Sequence, residues 1–113
     1  MITRTNVIIR TQFEALHAWP NCPIEEVAFL RHPHRHIFHV TVKLPVAHDD
    51  RDVEFIVFKR LLEEYLQGQP MDLGSKSCEM LCIDILAKFE GITYVSVFED
   101  NENGAEVIVE SVS

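Results

Sequence analysis

Between Val7 and Trp19 the side chains alternate, with Val7, Ile9, Thr11, Phe13, Ala15, His17 and Trp19 on one side and Ile8, Arg10, Gln12, Glu14 and Leu16 on the other. Successive side chains of a β-strand point to opposite faces, so this period of two predicts one long strand. The alternation returns from His34 to Leu44: His34, His36, Phe38, Val40, Val42 and Leu44 share one face, and Arg35, Ile37, His39, Thr41 and Lys43 the other. The β-branched content of this stretch supports a second strand. Between the two, Pro20, Asn21, Cys22 and Pro23 and then EEVAFLRHP keep no settled period and predict a loop or a short irregular turn.

After the polar turn His48 to Asp52 the period changes. VEFIVFKRLLEEYL (residues 53–66) sets Phe55, Phe58, Leu62 and Tyr65 or Leu66 three and four apart, which predicts an amphipathic helix with Asp50 or Asp52 as N-cap. A second helix is predicted over Ser77 to Phe89, where Leu81, Ile85 and Phe89 recur every four residues, Ser75 or Ser77 can cap the start and Gly91 can mark the stop. ITYVSVFE and AEVIVESV, parted by the turn-forming DNENG, predict a closing hairpin. The order strand, strand, helix, helix, strand, strand predicts an α+β fold, a four-stranded antiparallel sheet with its helices on one face. A chain of 113 residues, 47% hydrophobic, can bury one ordinary core and predicts a single domain over residues 1–113.

Composition narrows the function classes. The apolar runs are four to six residues long, far short of the roughly 18 to 20 that a membrane span needs. MITRTNVIIRTQ lacks the basic, apolar and small-residue order of a secretory signal, and Cys22, Cys78 and Cys82 are an odd number without a disulfide-framework spacing. A reducing, cytoplasmic setting with free thiols is expected. The formal charge of −8 argues against a general nucleic-acid grip, which needs Lys and Arg massed along one surface. The basic cluster from Arg31 to Arg35 is short and interleaved with histidines.

Five of the six histidines lie between His17 and His39. His34 and His36 are two apart on one strand and share a face, whereas His39 projects from the other. If the first two strands pair as a long hairpin, His17 comes opposite the start of the second and three imidazoles meet at one end of the sheet. Three histidines with an open fourth position suit a catalytic zinc, because neutral imidazole is a borderline ligand and the vacancy admits water or substrate. His32, His39 and His48 have no such geometry and are read as structural or solvent-facing.

FEALH (Phe13 to His17), HRHIFHV (His34 to Val40), VEF (Val53 to Phe55), SCE (Ser77 to Glu79) and VSVFE (Val95 to Glu99) resemble, in order, the motifs of the 6-pyruvoyl- and 6-carboxy-tetrahydropterin synthase family. The resemblance runs over nearly the whole chain. It implies the tunnelling fold, in which subunits of two helices and four strands join their sheets into barrels and form trimers or hexamers. It also implies zinc on His17, His34 and His36, a pterin ring or related heterocycle anchored by Glu99, ligand contacts from Ser77 and Glu79, and a substrate of the dihydroneopterin triphosphate type. A carboxylate such as Glu99 can accept paired hydrogen bonds from the ring's amino group and its neighbouring N–H.

The chain departs from that family in its acid-base residues. Where the family carries a catalytic cysteine four residues before the first histidine of the pair, this chain has Leu30; the nearby thiol is Cys22, in the Pro-rich loop, with Glu25 and Glu26 as further candidate bases. Where the family has Asp-His between the helices, this chain keeps Asp72 and has Leu73, and Arg35 replaces the glycine between the paired histidines. Cys22 and Asp72 are therefore the candidate catalytic residues. The pattern fits a lyase-like enzyme with an incomplete proton relay, or a catalytically silent zinc-containing pterin- or purine-binding protein on the same fold.

Overall fold

A computed structural model of the protein describes residues 1–110. The first two strands, β1 (Asn6–His17) and β2 (His34–Pro45), pair antiparallel over their full lengths, in a register that sets Ile9 opposite Val42, Phe13 opposite Phe38 and His17 opposite His34. The sheet continues through β3 (Tyr94–Glu99) and β4 (Asn103–Ile108) in the order β1-β2-β3-β4, all antiparallel. Helices α1 (Phe55–Gln67) and α2 (Cys78–Lys88) fall between the two hairpins in sequence, so the element order is the one the periodicity predicts. α1 packs over β1, and α2 over β3 and β4.

One face of the sheet makes the core. Ile9 and Ala15 of β1, Phe38, Val40, Val42 and Leu44 of β2, and Val95 and Val97 of β3 are all buried there, against Leu62 and Leu66 of α1 and Leu81, Cys82 and Ile85 of α2. Phe89 closes the top of the layer against Phe58 and Tyr65 of α1. The opposite face is partly exposed, with Ile8 and Ile37 among its residues.

Several boundaries differ from those the sequence predicts. β1 ends at His17, two residues before Trp19, because the chain turns there to bond elsewhere: the Ala18 and Trp19 amides donate to the Gly74 and Leu30 carbonyls. α1 is capped by Glu54, whose carboxylate accepts from the Ile56 N–H at 2.8 Å, in place of Asp50 or Asp52. Asp52 instead braces the preceding loop by accepting from the Ala47 N–H. Phe55, counted in the apolar stripe of α1, is 54% exposed, and Leu62 and Leu66 are the residues that helix buries fully. α2 is capped by Ser77, whose hydroxyl accepts from the Met80 N–H. It ends at Lys88, with Phe89 already extended and Gly91 two residues on at φ 93°, a conformation glycine takes without strain. The stretch between the long strands contains a short 3-10 helix, Glu25–Arg31, kinked at Val27.

The β3–β4 connection is tight. Asp100 and Asn101 both have positive φ and the Glu102 N–H donates to the Glu99 carbonyl, the signature of a type I′ turn, which matches the twist of a hairpin. β4 begins earlier than predicted, at Asn103; Ser111 and Val112 of its predicted stretch lie outside the described residues. No helix among the described residues is long and apolar enough to cross a membrane.

Candidate metal centre

The register of the first hairpin assembles the site. His17, the last residue of β1, lies directly across from His34, the first of β2, and His36 follows one pleat later on the same face. Their ring centroids are 4.4 to 5.2 Å apart, and one nitrogen from each ring lies within 4.8 Å of the others. Phe38, the next residue on this face, forms the floor, with its ring 5.4 Å from that of His17 and 5.9 Å from that of His36. The three residues could hold a metal ion.

The outer nitrogens show which form each ring adopts. Nδ1 of His17 lies 3.1 Å from the Lys76 carbonyl, Nδ1 of His34 lies 2.8 Å from the His32 carbonyl, and Nδ1 of His36 lies 2.6 Å from the Asp100 carboxylate. A carbonyl or carboxylate oxygen only accepts, so each Nδ1 carries a proton, and in its neutral form each ring turns a lone pair inward at Nε2. All three Nε2 atoms are buried without a hydrogen-bond partner among the described residues. Glu99 adds to this: its carboxylate oxygens lie 3.3 Å from Nε2 of His17 and 3.4 Å from Nε2 of His36, yet out of line for hydrogen bonding. In that form three converging lone pairs beside a carboxylate repel one another. A cation among them makes every one of these contacts attractive, and oxygen acceptors bonded to the outer ring nitrogens are what fix metal-bound imidazoles.

A pocket of about 510 Å³ opens beside the histidines. His17, His34 and Glu99 line it, as do Ser77 and Glu79 from the start of α2. Trp19, Leu30 and Met80 give it apolar walls. Of the residues singled out from the sequence, the structure thus brings together the three histidines, Glu99, Ser77 and Glu79. It places the other two elsewhere. Cys22 is buried in its loop, with its thiol against the Ile24 and Val27 carbonyls, and Asp72 accepts from the Gly74 N–H in a local turn; neither lines the pocket. Leu30 does line it, while Leu73 is buried in the core.

Cys78 is a site residue that periodicity does not reveal. It begins α2, lines the pocket and donates its thiol to Glu99 at 3.7 Å. Burial, and then the Glu99 charge, push this thiol up to about 12, so it stands as a neutral donor. Asp100 and Lys76 are equally silent in the pattern, since they act through a turn and a main-chain carbonyl.

Comparison with protein-family models and with curated proteins finds no match. Among solved structures, the fold is similar to the crystal structure of an uncharacterized protein from Wolinella succinogenes, with a TM-score of 0.66 and 13% sequence identity over 96% of this chain and 100% of that one. At that identity the likeness is one of fold.

Proposed function

We propose that the protein is a zinc-dependent, tetrahydropterin synthase-like protein that binds a reduced pterin or a related heterocycle and turns it over weakly. One observation carries the reading: three imidazoles, each with its outer nitrogen already bonded, bring buried and unpartnered Nε2 atoms together beside a pocket. Three neutral nitrogen ligands and an open side match catalytic zinc better than magnesium or calcium, which prefer oxygen. When bound, zinc supplies Lewis acidity toward oxygens on the ligand's side chain.

The chain's own residues do the rest. Glu99 accepts from the ring's amino group and N–H, the Cys78 thiol holds one of that carboxylate's oxygens, and Trp19, Leu30 and Met80 offer apolar surface to a flat ring. What the pocket lacks is the family's base. Leu30 stands in the lining, and Cys22 and Asp72 face other partners. A missing general acid or base forfeits about a hundredfold to ten-thousandfold in rate while leaving binding contacts in place. The two edge strands, β1 and β4, have no further strand beside them among the described residues, which supports assembly into a trimeric or hexameric barrel.

A second reading has its own support. The Glu99 contacts of 3.3 and 3.4 Å are close enough for that carboxylate to swing into the fourth ligand position and close the site as a structural one. Glu99→Gln separates the two. In the binding reading the variant keeps its zinc and loses the thermal shift that dihydroneopterin gives; in the closed-site reading it loses zinc. Turnover of dihydroneopterin and of its triphosphate is compared in wild type, Cys22→Ala and Leu30→Cys. Activity gained in Leu30→Cys supports the proposal, and robust wild-type activity that vanishes in Cys22→Ala overturns weak turnover.

A further inference from the structure

The charges around the pocket bear on which pterin it takes, an inference that rests on reading the pocket as a heterocycle site. Holding a triphosphate tightly needs unengaged cations, because the group brings three to four negative charges that must be matched as they leave water. The charged side chains lining this pocket are two carboxylates, Glu79 and Glu99, and one ammonium, Lys76. Lys76 is already engaged, since its Nζ is paired with Asp84. The arginines beside the histidines in sequence are engaged too: Arg31 with Glu25 at 2.9 Å and Arg35 with Glu14 at 3.1 Å, and neither lines the pocket.

The remaining donors at the pocket bring no net positive charge: the Ser75 hydroxyl and the Asn103 amide line it as neutral groups. α2 starts at the pocket, but the Ser77 hydroxyl caps the Met80 N–H and Glu79 puts a carboxylate in the first turn, where it offsets the positive end of the helix. The histidines turn lone pairs inward, not N–H groups. A divalent ion on those lone pairs brings two positive charges, which Glu79 and Glu99 already balance. The chain as a whole carries −8 and repels an approaching polyanion.

We infer that the site selects a phosphate-free reduced pterin, a neutral heterocycle with a hydroxylated side chain, and discriminates against the triphosphate ester. Isothermal titration of the zinc-loaded full chain with 7,8-dihydroneopterin and with its triphosphate, followed by metal analysis to show that zinc is retained, tests this. The expected result is binding of dihydroneopterin, with the triphosphate weaker by about tenfold or more from charge alone. Glu79→Gln should narrow that ratio. Equal or tighter binding of the triphosphate overturns the inference and leaves the pterin reading standing. Binding of neither compound overturns both.

Discussion

Asp100 spans His36 and the backbone of its neighbour: one carboxylate oxygen takes the His36 Nδ1–H at 2.6 Å and the other takes the Ile37 N–H at 2.9 Å. These two donors, the histidine first, hold the Asp100 carboxyl below its ordinary value. His17 and His34 are oriented by neutral main-chain carbonyls, so His36 is the ring whose orienting group is a charge. A carboxylate behind an imidazole makes it a better donor to a cation, and loss of such an outer partner typically costs about 10- to 100-fold in metal affinity. Asp100→Asn should therefore weaken zinc binding by about that factor, measured by competition with a chelator at pH 7.5, and Asp100→Glu should restore part of it. An unchanged affinity in Asp100→Asn would show that the turn alone sets the ring.

The facing of the histidines makes a second test. His34→Ala combined with His36→Ala should abolish stoichiometric zinc in dialysed protein, read by plasma mass spectrometry. His39→Ala should leave metal content as in wild type, because alternation along β2 puts that side chain on the other face of the sheet. Unchanged zinc in the double variant would sink the site.

Gly104 is fixed by space. A Cβ there would come 2.1 Å from the Val97 carbonyl oxygen and 2.6 Å from the Phe98 Cα, backbone atoms that cannot swing aside. Gly104→Ala should cost about 1 to 3 kcal/mol or more, seen as a lower urea midpoint. Because Gly104 also lines the pocket, ligand binding should fall with it.

Alkaline pH should weaken the fold through α2. Burial pushes the Cys78 thiol up to about 12 and the Cys82 thiol up to about 11, from an ordinary 9.0. A thiol that holds its proton more tightly when folded leaves stability intact below pH 9. As pH climbs from 9 toward 11 only the unfolded chain gains by ionising, and stability is lost. Urea unfolding at pH 7.5 and pH 10.5 should show the loss, and the Cys78→Ala/Cys82→Ala variant should show less of it. An equal loss in both proteins would assign the alkaline effect to other groups.

Period-two alternation carries a great deal of this structure because one face of each long strand is buried, and a slip of one residue would expose the whole core face. It therefore gives the pairing of β1 with β2, the meeting of His17, His34 and His36, and the separation of His39. Where the controlling contact is local and polar, the pattern is mute. Glu54 caps α1 although Asp is the better residue for the task, because the loop has already committed Asp52 to Ala47. Trp19 continues the alternation of β1 but not its strand, since its N–H goes to Leu30. Asp100 acts from a turn, and Lys76 through its main chain, where side-chain identity leaves no trace.

Two of the three rings take their outer partners from far along the chain, while His34 takes its own from His32, two residues away. His17 is 59 residues from Lys76 and His36 is 64 residues from Asp100, so these two rings are clamped only once both hairpins and the start of α2 have come together. Contacts of such long range close late in folding, after the loops between them have lost their entropy. A metal ion that requires the clamped rings then has little to hold in the folding transition state. Its effect falls on the unfolding limb of the kinetics, so that loading acts as a latch on a finished chain and lengthens its lifetime without hastening its formation.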